Sequence, residues 1–183
     1  MSLHFAACRA LLLLPLLAAC GGAVQRPDGG QGLLPVGARA PEVVGKAADG
    51  SQVAFSASRG HAAVVYFYPK DATPGCTKEA CAFRDAFKAY EARQVTIFGV
   101  SRDSEEVHQE FRAQHALPFP LVADADGALA RAYGVPSPMG MSSRVTFLVG
   151  PDGKIARVWP DVDPGVHARE VLTAAEASLS AQK

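Results

Sequence analysis

Two unbroken apolar runs, Ala63 to Tyr68 and Val95 to Val100, constrain this chain more than any other feature. Each is short, rich in β-branched and aromatic residues, and free of polar alternation, so each reads as a strand buried on both faces. Between them Ala80, Phe83, Phe87 and Tyr90 recur at helical spacing, which makes the connection an amphipathic helix. Further along, a helix is expected over about Ser104 to His115, with Asp103 and Glu106 in a capping-box pattern. A shorter one, Gly127 to Tyr133, is stopped by Gly134 in a left-handed conformation. Arg144 to Val149 and Lys154 to Trp159 read as antiparallel strands joined by the turn Gly150-Pro151-Asp152-Gly153. A last helix, about Pro164 to Leu179, places Val166, Leu172, Ala175 and Leu179 on one side. Upstream, Val43 to Lys46 and Gln52 to Phe55 flank Asp49-Gly50, a hairpin turn signal. This order of elements predicts an α/β layered domain: a central mixed sheet flanked by helices.

With 183 residues, 49 % of them hydrophobic, the chain has enough apolar surface for one real core and an appendage or two. A formal charge of zero gives no electrostatic reason to expect nucleic acid as a partner. The histidines His4, His61, His108, His115 and His167 show no metal-ligand spacing and no local pairing with a cysteine, so neither a metal nor another cofactor is expected. His61 reads as a surface residue and Trp159 as a core one.

The first 19 residues do not read as part of the fold. Arg9 precedes an apolar run from Ala10 to Ala19 that is too short to span a bilayer and has the character of an export signal. The run ends in Leu17-Ala18-Ala19-Cys20, which resembles the lipobox of bacterial lipoproteins. That resemblance implies acylation of Cys20 and a protein of the cell envelope, lipid-anchored to a bacterial membrane; the alternative is cleavage after Ala19 and release of a soluble periplasmic protein. Residues 20–34 are rich in glycine and polar side chains and read as a flexible tether, with the folded domain over 35–183. Removal of Cys8 with the signal and acylation of Cys20 leave Cys76 and Cys81 as the free thiols.

Cys76 follows Thr73-Pro74-Gly75 and opens the first helix, where unpaired backbone N–H groups and the positive end of the helix dipole favour an anion. Cys81 lies five residues on. Along an intact helix that is about 7.5 Å of rise and a rotation of about 140°, or roughly 8 to 9 Å between Cα atoms, whereas a disulfide tolerates about 4.4 to 6.8 Å. A Cys76–Cys81 bond therefore requires the helix to open locally. The pair reads as a redox couple; the other reading is two apolar cysteines on a core helix.

The run from Tyr66 to Cys81, Tyr-Phe-Tyr-Pro-Lys-Asp-Ala-Thr-Pro-Gly-Cys-Thr-Lys-Glu-Ala-Cys, contains the Pro-x-x-x-Thr-x-x-Cys signature of peroxiredoxins at Pro69, Thr73 and Cys76, and resembles the bacterioferritin comigratory protein (Q-type) branch. Leu117-Pro118-Phe119-Pro120-Leu121, Arg144-Val145-Thr146-Phe147-Leu148 and Asp152-Gly153-Lys154-Ile155 extend the resemblance over about Val36 to Ala175. It implies a thioredoxin-like fold and a thiol peroxidase acting on hydrogen peroxide and organic hydroperoxides. By matching positions it implies that Cys76 is the peroxidatic nucleophile, that Thr73 hydrogen-bonds peroxide and thiolate, that Pro69 shields the site from water and that Arg144 polarises the peroxide. It further implies that Cys81 resolves the Cys76 sulfenic acid to a disulfide, that a thioredoxin-type dithiol recycles it, and that the protein is a monomer or weak dimer. An envelope thiol–disulfide oxidoreductase and a non-enzymatic redox sensor are the competing functions. The segment Gly134 to Ser143 is shorter than the corresponding loop of many relatives; Met139 and Met141 within it read as gap-filling side chains or as lining of an entrance.

Overall fold

The computed structural model describes residues 24–41, 44–47, 50–54 and 60–180; the expected export signal, Cys20 and Asp49 of the expected hairpin turn lie outside them. In chain order the elements are β1 (Val44–Ala47), β2 (Gln52–Ala54), β3 (Ala63–Phe67), α1 (Pro74–Glu91), β4 (Thr96–Ser101), α2 (Glu105–Gln114), β5 (Leu121–Ala123), α3 (Ala128–Tyr133), β6 (Val145–Val149), β7 (Ile155–Trp159) and α4 (His167–Ser180). They form one mixed sheet in the order β2-β1-β5-β4-β3-β6-β7. The strands β3, β4 and β5 are parallel neighbours, and β6 runs antiparallel to β3 with Phe67 opposite Val145.

The strand β3 is buried at all five positions, and its alternation feeds two cores. Val64 and Tyr66 face one cluster with Cys76, Ala80, Phe83 and Tyr90 of α1 and Ala168, Val171 and Ala175 of α4. Ala63, Val65 and Phe67 face the other, with Leu129, Ala130 and Tyr133 of α3. A strand polar on one side could not serve both. Phe83 stacks on Tyr66 with ring centroids 4.8 Å apart, a burial that stabilises by about 1.5–3 kcal/mol, and the Tyr90 hydroxyl donates to the Ala168 carbonyl. The C-terminal half of α1 is thereby fastened to the sheet and to α4. At Gly99 any Cβ would come within 2.6 Å of the Tyr66 hydroxyl, so only glycine lets β4 pass beneath that ring.

Several expectations are corrected. Residues 24–34 are not a free tether: Arg26 donates to the Gln31, Gly32 and Leu33 carbonyls, and the turn docks through Leu34 N–H on the Tyr133 carbonyl. A Cβ at Gly134, whose φ is +71°, would lie 1.9 Å from the Gly32 carbonyl oxygen, so glycine there both ends α3 and admits the turn. The N-cap of α2 is Ser104, whose hydroxyl accepts from Val107 N–H, and Asp103 is engaged elsewhere. In α4 the buried positions are His167, Ala168, Val171 and Ala175; Val166 precedes the helix and is exposed. Met139 is 90 % exposed, so it fills no gap. Trp159 is buried and His61 exposed, as expected.

Two histidines are structural. His167 bonds the Thr146 hydroxyl through Nε2 at 2.8 Å; burial, and then the Arg144 charge, push its imidazole down to about 4, so it packs between Phe83 and Trp159 as a neutral ring. His108 lies on α2, fully buried, and belongs to the architecture of the site.

Candidate active site

The chain leaves β3 at Tyr68 and must turn within five residues to start α1. Asp71, only 3 % exposed, pins that turn: its carboxylate accepts from the Tyr68 hydroxyl at 2.7 Å and sits 2.6 Å from His108 Nδ1. Its backbone N–H donates to the Asp103 carboxylate at 2.9 Å. Ala72 takes a positive φ of 57°, a conformation held because its neighbour is fastened on both sides. Asp71, Asp103 and His108 bring one ligand-type atom each within 4.8 Å of one another, but these atoms are occupied in holding the turn to α2 and β4, where Ser101 also donates to Asp103.

Thr73 is the N-cap of α1, with extended backbone and a carbonyl that accepts from Thr77 N–H at 2.8 Å. Its hydroxyl donates to the Lys70 carbonyl at 3.0 Å. Pro74 takes the first helical position, where its missing N–H costs nothing. Cys76 follows within the first turn, 2 % exposed, among backbone N–H groups with no helical partner. Pro69, half-buried, lies on the same turn.

The register of the sheet supplies the cation. Because Val145 of β6 pairs with Phe67 of β3, Arg144 stands at the end of the sheet from which the Pro69–Thr73 turn departs. Its Nη2 reaches the Cys76 sulfur at 3.1 Å, and its Nη1 binds the Glu79 carboxylate. The guanidinium is therefore a fork between a thiol and a carboxyl group, a geometry lysine cannot reproduce. Glu79 is fully buried; desolvation pushes its carboxyl up to about 7, against the lowering effect of Arg144. The arrangement can hold a sulfur anion beside a fixed positive charge and offer the same charge to an oxygen of a bound substrate.

Cys81 is not part of that cluster. Both thiols are free and both lie in the unbroken α1, as the helix geometry requires when no bond joins them. The Cys81 sulfur lies 3.9 Å from His115 Nδ1, on the side of α2.

The model of the AhpC/TSA family matches residues 36–158, a span that includes every site residue just described. The chain belongs to the AhpC/TSA family. Within this family it is of the Bcp, or peroxiredoxin Q, type. It is 39 % identical over 145 residues to peroxiredoxin Bcp of Bacillus subtilis, covering 75 % of this chain and 92 % of that one. It is 41 % identical over 135 residues to peroxiredoxin Bcp of Xanthomonas campestris, covering 70 % and 84 %. A solved structure of the Xanthomonas campestris bacterioferritin comigratory protein, described for its alkyl peroxide reduction activity, superposes with a TM-score of 0.71 at 36 % identity, covering 78 % of this chain and 98 % of that one. The thioredoxin-like fold expected from the sequence is thus the fold of this AhpC/TSA chain.

The structure brings together Cys76, Arg144 and the Pro69–Thr73 turn, and keeps Cys81 apart. Glu79, Asp71, His108 and His115 were not singled out in the sequence. Glu79 carried a signal: it directly precedes the core residue Ala80 and lies three residues from Cys76, on a helix face too apolar for an unpartnered carboxyl group.

Proposed function

We propose that the chain is a thiol-dependent peroxidase whose nucleophile is Cys76. The observation that carries this reading is the Arg144 guanidinium 3.1 Å from the Cys76 sulfur at a helix start. The Cys76 thiolate attacks the terminal peroxide oxygen, the O–O bond breaks, and the products are a sulfenic acid and a hydroxide or alkoxide, which takes a proton from solvent to become water or an alcohol. Arg144 spreads its charge over sulfur and oxygen as negative charge moves to the leaving oxygen. Thr73 stands at the helix start with its hydroxyl available to a bound peroxide once it releases the Lys70 carbonyl, and Pro69 limits access of water. Alkyl peroxide reduction by the Xanthomonas campestris relative supports organic hydroperoxides beside hydrogen peroxide as the substrate class.

Cys81 then attacks the Cys76 sulfenic sulfur, giving a disulfide and water, and an external thioredoxin-type dithiol restores both thiols by exchange. The reduced structure holds the two cysteines in one continuous helix, so this step includes opening of the first turns of α1. Purified protein should consume peroxide with a dithiol over many turnovers. The Cys81→Ala variant should complete one fast peroxide reduction and then stall with a thioredoxin-type reductant, its intact mass gaining one oxygen. An internal disulfide in that variant, or undiminished turnover, overturns the role of Cys81.

A lipid anchor at Cys20 completes the reading, supported by the Leu17-Ala18-Ala19-Cys20 motif. Mass spectrometry of the mature N-terminus should find diacylglyceryl-modified Cys20; an unmodified thiol there refutes anchoring.

A further inference from the structure

Cys81 is surrounded as though its proton mattered. Its sulfur is half-buried and 3.9 Å from His115 Nδ1, within reach of an S–H···N contact to a neutral imidazole. His115 is the C-cap of α2, with its N–H directed at the Phe111 carbonyl. Its ring packs edge-on against Phe111 at 4.8 Å between centroids. The His115 carbonyl in turn accepts from Arg84 Nη1 at 2.9 Å, so an arginine one turn beyond Cys81 holds the histidine in place. The Arg84 guanidinium is kept charged first by its bond to Asp85 and then by Cys81 itself. One sulfur therefore faces an imidazole on α2, and the backbone of that same histidine is held by a guanidinium one turn along α1. Neither group comes near Cys76 in the contacts of the site, where Arg144 and Glu79 do that work.

We propose that His115, positioned by Arg84, is the base that takes the proton of Cys81 and so prepares the resolving thiolate. The proposal rests on Cys81 being the resolving cysteine. In the closed helix the thiol proton passes to His115 Nδ1. When the first turns of α1 open, the Cys81 sulfur carries its electron pair to the Cys76 sulfenic sulfur. The S–S bond forms and the S–O bond breaks; the departing hydroxide is protonated to water, and the imidazolium returns its proton to solvent. Cys76 sulfur is reduced, Cys81 sulfur is oxidised, and no further reactant is needed. An ordinary thiol is only about 3 % thiolate at pH 7, so complete transfer to a base can raise the rate of this step by at most about thirtyfold. Arg84 serves two ends, since it both fixes the base and stabilises the product anion.

The test separates the two chemical phases in single-turnover experiments on the purified protein. Peroxide loss reports oxidation of Cys76, and capture by a sulfenic-acid-selective dione at successive times reports how fast the sulfenic acid disappears. His115→Ala should leave the first phase unchanged, which also shows that the fold and the Cys76 site survive. It should slow the second about tenfold at pH 7, and added imidazole should restore part of the rate. Arg84→Gln should slow the second phase about threefold. A second phase unchanged or faster in His115→Ala overturns the proposal, the faster case meaning that the contact only latches the helix shut. If Cys81→Ala itself retains the second phase, the resolving role falls, and the proposal falls with it on different evidence.

Discussion

Replacing Cys76 by serine should reduce peroxide consumption to the uncatalysed background while leaving the fold in place. Serine is nearly isosteric with cysteine, and the site it enters is 2 % exposed, so neither a cavity nor a clash is created. What disappears is the sulfur: a hydroxyl does not ionise near neutrality, is a poor nucleophile without an adjacent base, and cannot form a stable bond to the transferred oxygen. The groups around position 76 supply no base for it, since Arg144 is cationic and the Glu79 carboxyl is bound to Arg144. Thermal unfolding should match the native protein within a few degrees. Peroxide consumption that persists in this variant would remove the enzyme assignment altogether.

The second large effect belongs to Arg144. Arg144→Ala should slow the first phase about hundredfold or more, in line with the loss of a fixed donor at the reacting centre, and Arg144→Lys should recover little of it. The fork explains the second statement: one nitrogen meets the Cys76 sulfur while the other meets Glu79, and an ammonium group cannot hold both with the same orientation. Glu79 adds a pH signature. Burial raises its carboxyl to about 7, so below neutrality the native side chain is mostly uncharged. Glu79→Gln should therefore match the native first phase at about pH 6 and diverge above 7, where native Glu79 acquires the charge that glutamine lacks. Identical rates at every pH would mean that Glu79 has no part in setting the guanidinium. Rapid-mixing measurements of peroxide loss across that range decide both points.

What could be read from the chain alone followed from the length and strength of each pattern. The strands β3 and β4 and the helix α1 were legible because their apolar residues are numerous and sit at a single period, and Gly134 was legible because α3 has nowhere to continue. The strand β5 was not: three residues offer no period, and it exists because β1 and β4 flank it. The turn at residues 24–34 has the composition of a linker, and its order comes from Arg26 bonding three carbonyls and from a glycine-sized gap at Gly134. The cap of α2 shifted by one residue because Asp103 is drawn to the Asp71 backbone and Ser101, leaving Ser104 to accept from the helix. In the site, Cys76 is legible from its place at a helix start and Arg144 only through motif resemblance, and their contact depends on the β3–β6 register. The Cys81–His115 pair spans 34 residues, and nothing in local spacing announces a meeting between the middle of one helix and the end of another.

The fastening of α1 has a kinetic meaning. Phe83 and Tyr90 tie its C-terminal half to Tyr66 and Ala168, so the part free to open is the short stretch that holds the two cysteines, between the Asp71 pin and Phe83. Opening so short a unit costs less than global unfolding, yet it must precede every proposed disulfide. On the proposed mechanism, until it happens the sulfenic acid stays open to a second peroxide molecule, and that oxidation to sulfinic acid is irreversible without a dedicated repair enzyme. The stability of that short stretch, with the anchors fixing where it ends, thus sets the waiting time of the oxidised protein, and with it the peroxide concentration at which the proposed nucleophile is lost.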